Sequence, residues 1–497
     1  MQEKNYDVVV LGAGPGGYVA AIRAAQLGLS AAVVEKDKPG GVCLNIGCIP
    51  SKALIHSAQI FSEGLGLLRA GGAVVDLSGF SYKGVWQASR LAADRLSKGI
   101  LFLLKKNKVD LVQGRGRLAD ARTVMVEKDG ETILLKARAV ILATGSRPRA
   151  LPGFALDEKN ILSSTGMLLS ETLPKSMTIL GAGAIGMEFA YVLSSFGVKV
   201  TVVELLDQVL PLEDPESAKV VEKAFSSRGV EIHTQAKAEK AEVKSDGVHL
   251  YATLRDGSSA DIVSERLLVS IGRSPNTEDI GLENLGVRMN RGYVETGNFY
   301  ETSAEGIYAI GDITIQPQLA HVASKAGEIA SERIAQVLLG TAGAAGAAGA
   351  AGAAGAAGAA GTAGAAGAKE SRINPYTIPS AVYCQPEVAS FGLSEKKAKD
   401  LGVRHVVARF PYRGIGKAVA TEAAEGQVKL VYAPDTGAIL GVSIAGAAAT
   451  EIVHELLLAS CAELTIDEVS EMIHAHPTIS EGVMEAAKAG LGRAIHA

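Results

Sequence analysis

Uninterrupted apolar runs, each closed by small residues, recur along the chain as far as residue 312. Val8-Val9-Val10-Leu11, Ala139-Val140-Ile141-Leu142-Ala143, Leu267-Leu268-Val269-Ser270-Ile271 and Gly306-Ile307-Tyr308-Ala309-Ile310 are of this kind. Runs without polar alternation predict strands buried on both faces, the habit of parallel sheets covered by helices. From about Tyr376 the pattern shifts to short alternating strands at 428–431 and 439–444, then to helical stretches, which predicts an α+β unit.

The pattern also repeats itself. Asp7-Val8-Val9-Val10-Leu11-Gly12-Ala13-Gly14-Pro15-Gly16-Gly17 is matched by Ser176-Met177-Thr178-Ile179-Leu180-Gly181-Ala182-Gly183-Ala184-Ile185-Gly186. Gly12, Gly14, Gly17, Gly28 and Glu35 meet Gly181, Gly183, Gly186, Gly197 and Glu204 at one constant offset of 169. One G-x-G-x-x-G is a weak signal, but two copies that each follow a strand, open a helix and lead to an acid make a dinucleotide-binding pattern. The first glycine permits the tight turn, the second lets backbone approach a pyrophosphate, and the third lets helix and strand pack closely. The helix N-terminus adds free N–H groups and positive dipole, and the acid suits ribose hydroxyls. Either two nucleotides bind, or the chain grew by duplicating one nucleotide module. Glu204 is followed by Leu205, Leu206 and Asp207 with no Arg or Lys to meet a 2′-phosphate, so NAD is favoured over NADP at the second site. Small-residue turns at Gly145 and Gly272, Asp312 at a strand exit (a carboxylate suited to polyol hydroxyls), and Ala320 join the candidate cofactor contacts.

Composition narrows the classes. A length of 497 residues predicts about three domains. The formal charge of −4, nearly balanced, argues against a nucleic-acid binder, and 47% apolar residues suffice for a large core. The polar start is not that of a signal peptide, which leads to the expectation of a cytoplasmic or processed organellar-matrix protein. The tract 341–368 repeats glycine every third position with alanine between, lacks proline and carries no large apolar residue. It predicts neither a collagen helix nor a membrane span, but a flexible exposed linker.

Four cysteines exclude a disulfide scaffold. Cys43 and Cys48, however, follow the first acid closely in Gly40-Gly41-Val42-Cys43-Leu44-Asn45-Ile46-Gly47-Cys48-Ile49-Pro50-Ser51-Lys52. Little more than one helical turn separates them, within disulfide reach, and the spacing is wrong for a zinc pair, so no metal is expected. Near the far end stands His474-Ala475-His476-Pro477-Thr478-Ile479-Ser480-Glu481, an imidazole able to take a thiol proton and a carboxylate able to orient it. Cys384 and Cys461 read as core residues, His454 as a helix-surface residue, and Trp86 as part of no stacking platform.

These cysteine and histidine segments, with the doubled nucleotide loop, resemble those of the flavin-dependent pyridine nucleotide–disulfide oxidoreductases, within them the branch that oxidises dihydrolipoamide. Glutathione reductases share the frame but favour NADP; mercuric reductases carry a further cysteine pair where this chain reads Gly492-Arg493-Ala494-Ile495-His496-Ala497. The resemblance implies an α/β fold of two Rossmann-like domains, for FAD and NAD, plus a C-terminal α+β dimerisation domain. Its expected boundaries are 1–150 (FAD), 151–279 (NAD), 280–340 (completion of the FAD domain), 341–372 (the Gly/Ala insert, foreign to the family) and 373–497 (interface). It implies FAD at the Gly12 loop, with Glu35 on its ribose and Asp312 on its ribityl chain, and NAD at the Gly181 loop with Glu204 on the ribose. Cys43 would exchange with substrate and Cys48 face the flavin. Lys52 would lie by the flavin ring, paired with Glu188. His476 would be the base, supplied by the partner of a homodimer, and Glu481 its orienter. Implied partners are the lipoyl domains and core acyltransferase of 2-oxo acid dehydrogenase complexes. Two other readings stand beside this: a disulfide reductase run in the opposite direction, and a flavoprotein assembly module whose redox centre is incidental.

Overall fold

The computed structural model describes residues 2–340 and 372–496; the tract read as a linker lies outside them. Two parallel sheets are built to one plan. In the first, the strand Gln2–Leu11 lies between Ala31–Glu35 and Glu131–Leu142, with Asp110–Gln113 outside the former and Ile307–Ala309 outside the latter. In the second, Ser176–Leu180 lies between Lys199–Val203 and Arg266–Val269, with Glu231–His233 and Ile161–Leu162 outside them. Each carries an antiparallel three-stranded elaboration at the same place in its order. It comprises Arg115–Asp120, Thr123–Lys128 and the first half of Glu131–Leu142 in one module, and Lys237–Lys244, Gly247–Thr253 and Ser259–Ser264 in the other.

The outer strand distinguishes the two. The second sheet takes Ile161–Leu162 from upstream, whereas the first waits for Ile307–Ala309, so the second module is inserted within the first. The first strand begins at Gln2, earlier than its apolar run at Val8. Its polar half pairs with residues 133–137, outside the cover of the helices, where side chains reach solvent. Both central strands run into helices at the glycine loops, Pro15–Gln26 and Ala184–Ser195, the first opened by a proline that needs no N–H partner there.

The C-terminal unit is a five-stranded antiparallel sheet ordered Ser380–Val382, Glu387–Gly392, Ile439–Gly446, Gln427–Tyr432, Val406–Pro411. Helices Ala449–Cys461, Ile466–Glu471 and Glu481–Gly490 share its core of Phe391, Phe410, Val428, Ile444, Leu456 and Val483. This unit is bolted to the second module at the helix Pro215–Ser227, whose N-cap is Asp214. Lys429, 3% exposed, reaches Asp214 at 2.9 Å, Glu216 at 2.7 Å and Glu395 at 3.0 Å. Among the described residues no helix is long and apolar enough to cross a membrane.

Candidate active site

The two glycine loops have the same inner geometry. Gly12 and Gly181 adopt φ of +104° and +102°, and a Cβ at either would strike the carbonyl of Ala143 or Ser270. A Cβ on Gly17 or Gly186 would strike its own loop's first carbonyl, that of Gly12 or Gly181. At Gly14 and Gly183, by contrast, no atom lies within 4 Å of the Cβ position, and each precedes a helix N-terminus. An open space before unpaired helix N–H groups is what a pyrophosphate needs, so both loops fit a dinucleotide. The acids brace these loops. Glu35 accepts from Ala13 N at 2.8 Å and Asp37 N at 2.9 Å; Glu204 accepts from Ala182 N at 2.7 Å and Leu206 N at 2.8 Å. All four N–H donors keep the 169-residue offset, so each carboxylate shapes its own loop in the same way.

The cysteine segment is pressed onto the first loop. Gly40 N donates to Ala13 O at 2.8 Å, and a Cβ on Gly41 would stand 2.8 Å from Gly14 Cα. Cys43 lies in a short helix, Gly41–Ile46, and Cys48 opens the long one, Cys48–Ala70. One continuous turn is therefore not what joins them. The chain breaks at Gly47, where a Cβ would stand 2.8 Å from Val42 O. Asn45 braces this turn through Pro39 O and Gly41 O, and Arg90 from the helix Tyr82–Lys106 donates to Asn45 O at 2.8 Å.

The thiols still meet, and their interaction is the main reason that their ionisations part. Cys48 is lowered by the Cys43 thiol donating to it, helped by the Lys52 ammonium and opposed by burial. Cys43 is raised by the same hydrogen bond, by burial and by the charge on Cys48. Lys52 sits four residues after Cys48 on one helix, so the two share a face. Its Nζ is 3.0 Å from both oxygens of Glu188, on the helix Ala184–Ser195. Burial works against the Lys52 charge, but Glu188 outweighs it and the ammonium is held firmly.

Asp312 leaves the strand Ile307–Ala309 in a 3-10 turn and accepts from Ser146 Oγ at 2.5 Å. Gly145 and Gly272 both take positive φ where the chain leaves the sheets, and the segments after them pair antiparallel, Ser146–Pro148 with Arg273–Pro275. Ala320 opens the helix Ala320–Leu339, which packs along Pro15–Gln26.

His476 Nδ1 lies 2.8 Å from Glu481 Oε1, and Thr478 N donates to the other oxygen at 2.9 Å. The helix Glu481–Gly490 thus presents its first carboxylate to a ring that is 77% exposed. Its neighbour His474 is instead buried against Glu455 at 2.8 Å. Among the described residues the His476 ring is hydrogen-bonded only to Glu481, and the groups that act on Cys43 and Cys48 do not include it.

Three further residues line the site without any motif in the sequence to mark them. Arg273 donates to Ser146 Oγ and O at 2.7 Å, and its charge reaches Asp312 and Cys48. Tyr18, its phenol raised mainly by burial, lies beside Cys43. Tyr383 packs its ring under Lys52. None follows a periodic or spaced motif, so no local signal marked them. Cys384 is fully buried, Cys461 is half-buried, His454 lies on the exposed face of its helix, and Trp86 donates to Leu168 O as a packing residue. No group of three metal-ligating side chains is assembled among the described residues.

A family model described as pyridine nucleotide-disulphide oxidoreductase matches residues 6–327, and one for the dimerisation domain of that family matches 378–487. The chain is 40% identical to dihydrolipoyl dehydrogenase of Bacillus subtilis over 99% of both chains, and 41% identical to that of Mycobacterium tuberculosis over 97% of both. Its fold is similar to the crystal structure of LpdA from Mycobacterium tuberculosis, with a TM-score of 0.83 at 29% identity over 98% of this chain and 99% of that one. The flavoprotein disulfide reductase RclA of Escherichia coli shares the fold at a TM-score of 0.82 and 23% identity, covering 98% and 99%.

Proposed function

The chain belongs to the pyridine nucleotide-disulphide oxidoreductase family, and on that premise we propose that it oxidises dihydrolipoamide to lipoamide with NAD⁺ as acceptor, serving 2-oxo acid dehydrogenase complexes through their lipoyl domains. The observation that carries this reading is the unequal dithiol pressed against the first dinucleotide loop. The Cys43 thiol donates to Cys48, which favours ionisation of Cys48 over Cys43, and the Lys52 ammonium beside it is fixed on Glu188. Full-length similarity to dihydrolipoyl dehydrogenases supports the substrate assignment.

Each site is assigned a role by its chemistry. Gly12, Gly14, Gly17 and Glu35, with Gly145, Asp312 and Ala320, are the FAD contacts; Gly181, Gly183, Gly186, Glu204 and Gly272 are the NAD contacts. Bound FAD supplies the two-electron link between dithiol and NAD⁺. The protein's own groups handle sulfur and protons. In the oxidised enzyme Cys43 and Cys48 form a disulfide. His476 takes a proton from one substrate thiol, and the resulting thiolate attacks Cys43 Sγ, releasing Cys48 as thiolate. The second substrate thiol then closes on the first substrate sulfur and releases Cys43, which takes up a proton. The substrate leaves as a disulfide, two electrons poorer, and the enzyme holds Cys43–SH and Cys48–S⁻, the state that the ionisations favour. Lys52 neutralises that thiolate and Glu188 keeps Lys52 in place. Glu481 fixes the His476 tautomer through Nδ1 and leaves Nε2 free to act.

An exposed His476 on a domain of the dimerisation type supports a homodimer in which the base serves the partner's cysteines. Formation of NADH from free dihydrolipoamide and NAD⁺ by the purified flavoprotein is the direct test. Turnover with another disulfide substrate and none with dihydrolipoamide would overturn the reading.

A further inference from the structure

Three distant parts of the chain converge on one ion pair. Lys52 comes from the helix that begins at Cys48, Glu188 from the helix after the second glycine loop, and Tyr383 from just beyond the first strand of the C-terminal unit. Lys52 Nζ lies 4.3 Å from the Tyr383 ring centroid while it contacts both Glu188 oxygens. The main-chain N–H of Tyr383 donates to Glu188 Oε1 at 3.2 Å. One residue therefore holds both partners, the cation through the face of its ring and the anion through its backbone. An ammonium over a ring face is attracted by the ring quadrupole, more so where water is excluded. A lysine side chain has several rotatable bonds, so a ring face beside the Glu188 ion pair narrows where its charge sits.

We propose that Tyr383 is a positioning residue of the redox centre: it keeps the Lys52 ammonium where its field reaches Cys48, so that seating the C-terminal unit sets the ionisation of the dithiol. This rests on the redox reading of Cys43 and Cys48 given above. The seating is itself firm, because Lys429 of that unit binds Asp214 and Glu216 of the second module. The dithiol on one domain is in this way informed of the placement of another.

The groups that face Cys48 are the Cys43 thiol on the preceding helix, Lys52 on its own, Glu188 on the second module and Arg273 on the connecting strand. All are unchanged in Tyr383→Leu and Tyr383→Phe. The measurement is the pH dependence of iodoacetamide alkylation of the reduced full-length holoprotein, resolved to Cys48 by peptide mass mapping. Tyr383→Leu is expected to move the Cys48 midpoint upward by about half to one pH unit. Tyr383→Phe, which keeps the ring face, should titrate with the wild type. In a Lys52→Met background the leucine substitution should add nothing, since the charge it positions is gone. If Tyr383→Leu does not accumulate as folded protein, Tyr383→Met makes the same comparison. The proposal is overturned if the ringless variant titrates with wild type, if Tyr383→Phe shifts as far as it does, or if the shift persists without Lys52. Neither dihydrolipoamide nor NAD⁺ enters this measurement, so its failure is distinguishable from failure of the turnover assay.

Discussion

Replacing Gly183 by alanine separates the two nucleotide sites. The backbone there has φ −70° and ψ −177°, extended values that alanine adopts, and the new Cβ meets no atom within 4 Å. The folded chain gains no clash and the unfolded chain loses freedom, so stability should hold or rise by about 0.4–1 kcal/mol. The methyl nevertheless stands in the space before the helix N-terminus, where it would push a pyrophosphate off its N–H donors. Losing one hydrogen bond to a charged group costs about 1.5–3 kcal/mol, which raises KM for NAD⁺ about 10- to 150-fold. The first loop is untouched, so FAD content and anaerobic reduction by dihydrolipoamide should match wild type. Gly186→Ala is the contrasting control: its Cβ would strike Gly181 O, a backbone atom that cannot swing away, and the second module should unfold. Steady-state kinetics in NAD⁺, flavin reduction by stopped flow and thermal denaturation read the three outcomes. An unchanged KM for NAD⁺ in Gly183→Ala, or a marked fall in its Tm, would refute the assignment of that open space to the pyrophosphate.

Other outcomes follow from the same geometry. Lys429→Met strands Asp214, itself 2% exposed, and should cost about 3–5 kcal/mol in chemical denaturation, partly recovered by adding Asp214→Asn. Glu216, held mainly by Arg409, and Glu395, held by Lys399 and Lys429, are each lowered from 4.5 to about 2. Depressed carboxylates stabilise the fold above their unfolded value, so this contribution is complete above about pH 4.5 and lost as pH falls towards 2; a flat stability profile there would contradict it. His476→Gln should lower dihydrolipoamide oxidation by about 10²–10⁴-fold with FAD retained. Co-expressed with Cys48→Ser, it should regain about a quarter of wild-type activity in mixed dimers if the base acts across the interface, and none if it acts within its own chain.

Local chemistry was readable without coordinates. Glycine at 12, 14 and 17 and an acid at 35, then the same set 169 residues on, specify a turn whose requirements are set within a few residues, and the structure forms both loops alike. The cysteine pair was legible as a reactive pair, but its geometry was not. The spacing suggested a single helical turn, whereas the backbone leaves helical geometry at Gly47 (φ −154°, ψ −118°), where the close approach to Val42 O admits only glycine. The His476–Glu481 contact was likewise readable, as its members are five residues apart and one opens a helix.

What the sequence alone determined, then, was everything that depends on neighbours in the chain: strand and helix periods, glycine turns, and residue types suited to thiol chemistry and nucleotide binding. Tertiary structure decided which distant segments complete those parts. Ile307–Ala309 closes the first sheet after the whole second module has intervened, since any apolar strand of that length satisfies the same edge until packing chooses. Tyr383 reaches Lys52, and Arg273 reaches Ser146 beside Asp312, through contacts across more than a hundred residues. Such contacts carry no periodic signature, because a side chain's charge or ring face acts through space and is indifferent to its position along the chain.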